Sequence, residues 1–221
     1  MRIRLIALAT ALLGVAVLSA GPAPAAEALA GSGKPETRTL DLAAFTRIDL
    51  GGTFNASIGF GKTQRVEVTI DDNLWDNLRA EVDDGRLTLD WNEHCQPTVP
   101  AVVKIVMAAP LEEFTLAGAG NALVAGLSGK HLDLYLRGTG STALEGFVES
   151  LQVILTGAGS CDAGELKAKD VKVVLSGVGD CHVHATASLD VRLSGVGNVT
   201  YRGDPQEKTT EVTGRGEIMA R

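Results

Sequence analysis

Leu116-Ala-Gly118-Ala-Gly120-Asn121 is the first of six copies of one phrase. It returns as Leu136-Arg-Gly138-Thr-Gly140-Ser141, Leu155-Thr-Gly157-Ala-Gly159-Ser160, Leu175-Ser-Gly177-Val-Gly179-Asp180 and Leu193-Ser-Gly195-Val-Gly197-Asn198. A worn copy, Val212-Thr-Gly214-Arg-Gly216-Glu217, closes the series. The leading residues step by 20, 19, 20, 18 and 19. A period near 19 implies a repeat architecture, in which each unit buries its apolar side only against its neighbours. Before each Gly-x-Gly the chain alternates strictly, as in Leu132/Leu134/Leu136, Leu151/Val153/Leu155, Val171/Val173/Leu175 and Leu189/Val191/Leu193. A second short strand follows each corner, giving an inward ladder Ala122, Thr142, Cys161, Cys181, Val199. Two strands and two turns fill a coil of this length, and stacked coils place neighbouring strands ~4.8 Å apart in parallel sheets. The pattern predicts an all-β parallel β-helix. The paired glycines serve as corners where the backbone bends with no Cβ in the way, and the following Asn, Asp or Ser bonds its own turn. None opens a helix, so a phosphate cradle is not indicated.

Outside the repeats, residues 1–25 read as a signal peptide. Arg2 and Arg4 precede the apolar run Leu5 to Leu18, and Ala23-Pro24-Ala25 suits cleavage. Removing that segment takes the net charge from −7 to −9. Residues 26–36 read as a flexible leader, and 37–221 as one continuous β domain. Within it, Arg65 to Ile70 is a half-buried strand, and Asp72-Asn73 is a cap for a short helix from Leu74. Asp84-Gly85 is the turn of a hairpin. Val102 to Met107, nearly all apolar, reads as a strand buried on both sides. The acidic balance offers nothing to nucleic acid, and no run after the signal peptide is long enough to span a membrane. The expected location is periplasmic or extracellular.

The residues resemble the auto-transporter adhesin family with a head GIN domain, a domain of unknown function. The likeness rests on Phe45-x-x-Ile48-x-Leu50-x-Gly52-x-Phe54, Asp72-Asn73-Leu74, Val82-Asp-Asp-Gly85-Arg-Leu87-x-Leu89 and the repeated Leu-x-Gly-x-Gly phrase. It implies a right-handed β-helix in an exported bacterial protein, and it brings no catalytic motif.

Candidate sites lie on the faces between corners. Cys161 and Cys181 share a phase, so they should stack as a buried thiol pair or a disulfide, leaving Cys95 single. His182 and His184 share an outward face beside Asp162, a candidate metal set. Asp133 and Asp190 stand three coils apart, ~14 Å by strand spacing, too far for a glycosidase pair. Neither a catalytic residue nor a cofactor is indicated. Tyr135, Ile154 and Val174 form an apolar strip facing outward, which implies an interface with a protein or glycan, or self-association into a homo-oligomer. These features point to a non-enzymatic, adhesin-like binding or structural module of the cell envelope. A carbohydrate-active lyase or hydrolase of the envelope is the alternative.

Overall fold

The computed structural model describes residues 28–221. The signal-peptide reading of residues 1–25 therefore lies outside the described residues. Among the described residues seventeen strands occur in chain order. The N-terminal part holds β1 (Leu29–Ala30), β2 (Pro35–Leu40), β3 (Arg47–Leu50), β4 (Phe54–Phe60), β5 (Arg65–Asp71), β6 (Leu78–Asp83), β7 (Arg86–Trp91), β8 (Cys95–Gln96) and β9 (Ala101–Met107). The repeats hold β10 (Glu113–Leu116), β11 (Ala122–Leu136), β12 (Thr142–Leu155), β13 (Cys161–Leu175), β14 (Cys181–Leu193), β15 (Val199–Arg202), β16 (Glu207–Val212) and β17 (Ile218–Ala220). Strand makes up 64% and helix 3% of the structure, wound as a parallel β-solenoid of about five turns.

The leading residue of each phrase sets the register. Leu116, Leu136, Leu155, Leu175, Leu193 and Val212 pair in sequence along one sheet, with Leu50 and Leu89 continuing the ladder below Leu116. The leucines of this ladder are all but sealed from solvent. Each contributes roughly 2 kcal/mol of burial, which dominates any single hydrogen bond in the coil. The second ladder runs Ala56, Ala122, Thr142, Cys161, Cys181, Val199 and Ile218. Between the two ladders most coils turn inside one long strand. The sheet bends at register shifts such as Val124/Leu127 and Ala143/Glu145, instead of breaking into a loop.

The glycine corners are steric necessities. A Cβ on Gly157 would stand 2.0 Å from the Gly138 carbonyl oxygen, and one on Gly177 would stand 2.0 Å from that of Gly157. The residue after the corner acts differently from the sequence expectation. Asn121 Oδ1 accepts from the Ser141 amide at 3.2 Å, Asp180 Oδ1 from the Asn198 amide at 2.8 Å and Asn198 Oδ1 from the Glu217 amide at 3.1 Å. These side chains tie one coil to the next, where stacking brings a neighbour's amide within closer reach than their own turn does.

The stack does not follow chain order at its base. β3 lies between β7 and β10, and β6 closes the end as the antiparallel partner of β7. Their hairpin turns at Asp84 (φ 44) and Gly85 (φ 69), as the pair's preference for positive φ predicts. β9 pairs with β4 and β5, with its Lys104 side exposed. The expectation that this strand is buried on both sides is thus corrected: only Ala101, Val103, Ile105 and Met107 face the core.

The leader also departs from expectation. Its described part is pinned, β1 pairing with β8 and β2 with β5. Asp71 is the anchor: its carboxylate accepts from the amides of Gly33 (2.6 Å), Thr98 (3.0 Å) and Val99 (3.2 Å). Asn73 holds the same segment, accepting from the Ser32 amide at 2.8 Å and donating to the Ala30 carbonyl at 2.9 Å. The turn that follows, Asp72–Asn77, is a 3-10 helix without a side-chain cap. The expected Asp72-Asn73 cap is therefore replaced by tethering of the leader.

One inward side chain breaks the apolar rule. Thr142 is 3% exposed and its hydroxyl has no hydrogen-bond partner. Thr142→Val keeps the shape and removes the unsatisfied group, so it should stabilise the fold by about 1 kcal/mol, or ~3 °C in melting temperature. An unchanged or lowered melting temperature would show that the hydroxyl is satisfied in solution.

Candidate binding face

The sheet that carries the leucine ladder turns its other side to solvent. Tyr135, Ile154 and Val174 sit there in register on β11, β12 and β13, each half-buried. The row continues to Thr115, which is buried, and Asp49 at one end and to Arg192 and Glu211 at the other. Neither the leader nor the C-terminal coil nor the 3-10 helix covers the strip. The leader pairs with β5 and β8, β16 pairs with β14, and the helix buries Leu74 beside β5.

Charges rim the strip on the side of the base. Arg86 grips Glu113 with two bonds of 2.6 and 2.9 Å, and this pairing holds the Glu113 carboxyl below its ordinary pKa. Burial pushes the Asp49 carboxyl above its ordinary value, although Arg86 and Arg137 pull the other way. Burial also raises the Tyr135 phenol, helped by Asp133 and Glu113. The Arg137 guanidinium lies 5.2 Å over the Tyr135 ring. Asp133 is occupied as well, accepting from Gln152 at 3.0 Å and lying 3.1 Å from His131. The sequence reading found the apolar row but missed this rim. Arg86 and Asp49 reach it only through the out-of-order packing of β7 and β3, which no local pattern announces.

The remaining candidates are placed as follows. Asp162 and His182 are register neighbours, but His182 Nδ1 is engaged by Thr200 Oγ1 and Asp162 accepts from the Gly164 amide at 3.1 Å. They line a small cavity of about 70 Å³ with Glu165 and Arg202, which are themselves paired at 2.6 Å. His184 pairs in register with Lys167 and Arg202, outside that cavity. No group of three His, Cys, Asp or Glu side chains among the described residues is arranged to hold a metal ion. Cys161 and Cys181 are register partners, fully buried free thiols. A hydrogen bond that the Cys181 thiol donates to Cys161, together with burial, pushes the Cys181 thiol well above its ordinary pKa. Cys95 is a partly exposed thiol of β8.

No helix among the described residues is long and apolar enough to cross a membrane. The fold is shared with solved structures from Bacteroides and Parabacteroides. A protein from Bacteroides fragilis described as a putative adhesin is 24% identical over 87% of this chain and 100% of its own, with a TM-score of 0.75. A protein from Parabacteroides distasonis described as a putative lipid binding protein is 21% identical over 87% of this chain and 99% of its own, with a TM-score of 0.54. Another from the same organism, described as a putative adhesin, is 19% identical over 88% of this chain and 100% of its own, with a TM-score of 0.51. No curated protein matches the sequence. Residues 44–205 match the family described as "Putative auto-transporter adhesin, head GIN domain", spanning both the base and the glycine-cornered coils, and the chain belongs to that family.

Proposed function

We propose that this protein is an exported, non-enzymatic, adhesin-like module of the bacterial cell envelope, which offers a flat, rigid β-face to a protein or glycan. The observation that carries the reading is the uncovered row Tyr135–Ile154–Val174, held at strand spacing on a sealed leucine core. Apolar side chains stacked on a rigid sheet lose little conformational entropy on binding, so their desolvation is available to affinity. The signal-like start of the sequence and the adhesin-named family support export to the periplasm or the cell surface. The carboxylates beside the strip support binding over catalysis. Glu113 is held by Arg86 and Asp133 by Gln152, while Asp190 stands three coils from Asp133.

The test is binding of the processed chain to envelope preparations of its own cells. Ile154→Asp combined with Val174→Asp should weaken binding at least ~10-fold, since each change sets a desolvated charge in the contact. Melting temperatures within a few degrees of the parent would show that the solenoid is intact. Equal binding by parent and double variant would overturn the reading.

A further inference from the structure

The face around the strip has an internal order that the strip alone does not explain. On three adjacent strands the outward residues are His131, Asp133, Tyr135, then Ser150, Gln152, Ile154, then Asp170, Lys172, Val174, all in register. The first and third rows carry complementary groups at matching positions, Asp133 with Lys172 and His131 with Asp170. The middle row is neutral. Consider two copies packed face to face with a two-fold axis running along the central strand. That operation sets Tyr135 against the second copy's Val174, Asp133 against its Lys172 and His131 against its Asp170. Ile154, Gln152 and Ser150 each meet their own equivalents. Among these nine, every juxtaposition is apolar with apolar, polar with polar, or base with acid. One strand further out Glu113 meets the second copy's Asp190, with Glu113 already neutralised by Arg86.

The alternative axis, perpendicular to the strands, would set Asp133 on the second copy's Asp133 and Lys172 on its Lys172, which repel. The charge order therefore favours one operator over the other, which is what an isologous contact requires. Lys172 has no carboxylate partner among the described ion pairs, although it is exposed beside Gln152 and Asp190. We propose that this nine-residue face is the contact surface for a second copy of this chain, forming a face-to-face dimer about the β12 strand. The inference rests on the reading of the strip as a binding face and names the partner.

Two sheets so packed stand ~10 Å apart, near enough for the central side chains to interdigitate. Three strands give an area well under the ~800 Å² per partner of a standard interface, so the dimer is weak and concentration-dependent. The processed chain should shift from monomer to dimer in sedimentation as its concentration rises, and return toward monomer in about 1 M salt. Asp133→Lys and Lys172→Asp should each leave only monomer, while the double variant, which restores the parent's net charge, should recover the dimer. Lys172→Asp breaks no internal ion pair but sets a carboxylate opposite Asp190, so melting curves check both single variants. A parent that stays monomeric at every concentration, or a double variant that stays monomeric when the parent dimerises, would overturn the proposal. A monomeric parent whose envelope binding is still lost in the Ile154/Val174 variant would sink the dimer and leave the binding face standing.

Discussion

Gly157→Ala is expected to cost about 4 kcal/mol or more, lowering the melting temperature by roughly 10 °C or preventing the soluble fold altogether. The added methyl would stand 2.0 Å from the Gly138 carbonyl oxygen and 2.6 Å from the Arg137 carbonyl carbon, all backbone atoms of the coil below. Backbone cannot step aside as the end of a flexible side chain can. The same carbonyl layer bears the bond from the Ala158 amide at 2.9 Å, so pushing the coils apart also breaks inter-coil pairing. Gly59→Ala is the matched control. It lies in strand β4 with no atom within 4 Å of the new methyl, and should change stability by less than about 0.5 kcal/mol. Thermal unfolding of the two variants decides the matter. Similar losses in both would mean that backbone entropy, and not stacking, explains the glycines.

Asp71→Asn should be the most damaging polar substitution. One carboxylate takes three backbone amides with no surface open to solvent, and it joins the leader, the end of β5 and the loop before β9. An asparagine would turn an NH₂ group toward some of those donors, leaving buried amides unpaired. A loss of about 3–5 kcal/mol follows at neutral pH. Burial alone would raise the Asp71 pKa, but the amides of Val99, Gly33 and Thr98 outweigh it and the carboxyl lies below its ordinary value. A depressed folded pKa means that its contribution is present above the unfolded value of about 3.9 and is lost as pH falls through the folded value. The gap between parent and Asp71→Asn should thus be full at pH 7 and narrow below pH ~4. Amide exchange at Gly33, Thr98 and Val99 should quicken in the variant. A pH-independent gap would show that shape, and not charge, is what the site requires.

The repeats were legible because one residue type marks one place in each coil. Leu136, Leu155, Leu175 and Leu193 could be aligned by eye, and the register matches that alignment residue for residue. The row Tyr135–Ile154–Val174 followed from the same phase. The base was not legible, because its pairings join distant segments. Nothing around Arg86 says that it will lie beside Arg47 and near Glu113. Asp71 read as the end of a strand, and Asp72-Asn73 as a cap. The partners that give these residues their roles, Gly33, Ser32 and Thr98, lie 27 to 41 positions away. Val102 and Val106 misled because half-buried valines on a one-sided sheet look, in sequence, like a strand covered on both faces.

The position of β3 between β7 and β10 has a consequence for the order in which the molecule can be built. A chain made from its N-terminus has no partner for Arg47–Leu50 until Arg86–Trp91 appears, and the second partner waits until Leu116. Up to that point the β6–β7 hairpin and the β2–β5 pair can form, but loops of about 40 to 65 residues must close before β3 gains either of its ladders, a slow step dominated by entropy. Beyond it every coil finds its template 18 to 20 residues back, already in place, and adds with little search. In a chain built in that order the base is complete first and is the template on which the glycine-cornered coils add. Substitutions at the base should slow folding, whereas those in the last coils should chiefly speed unfolding.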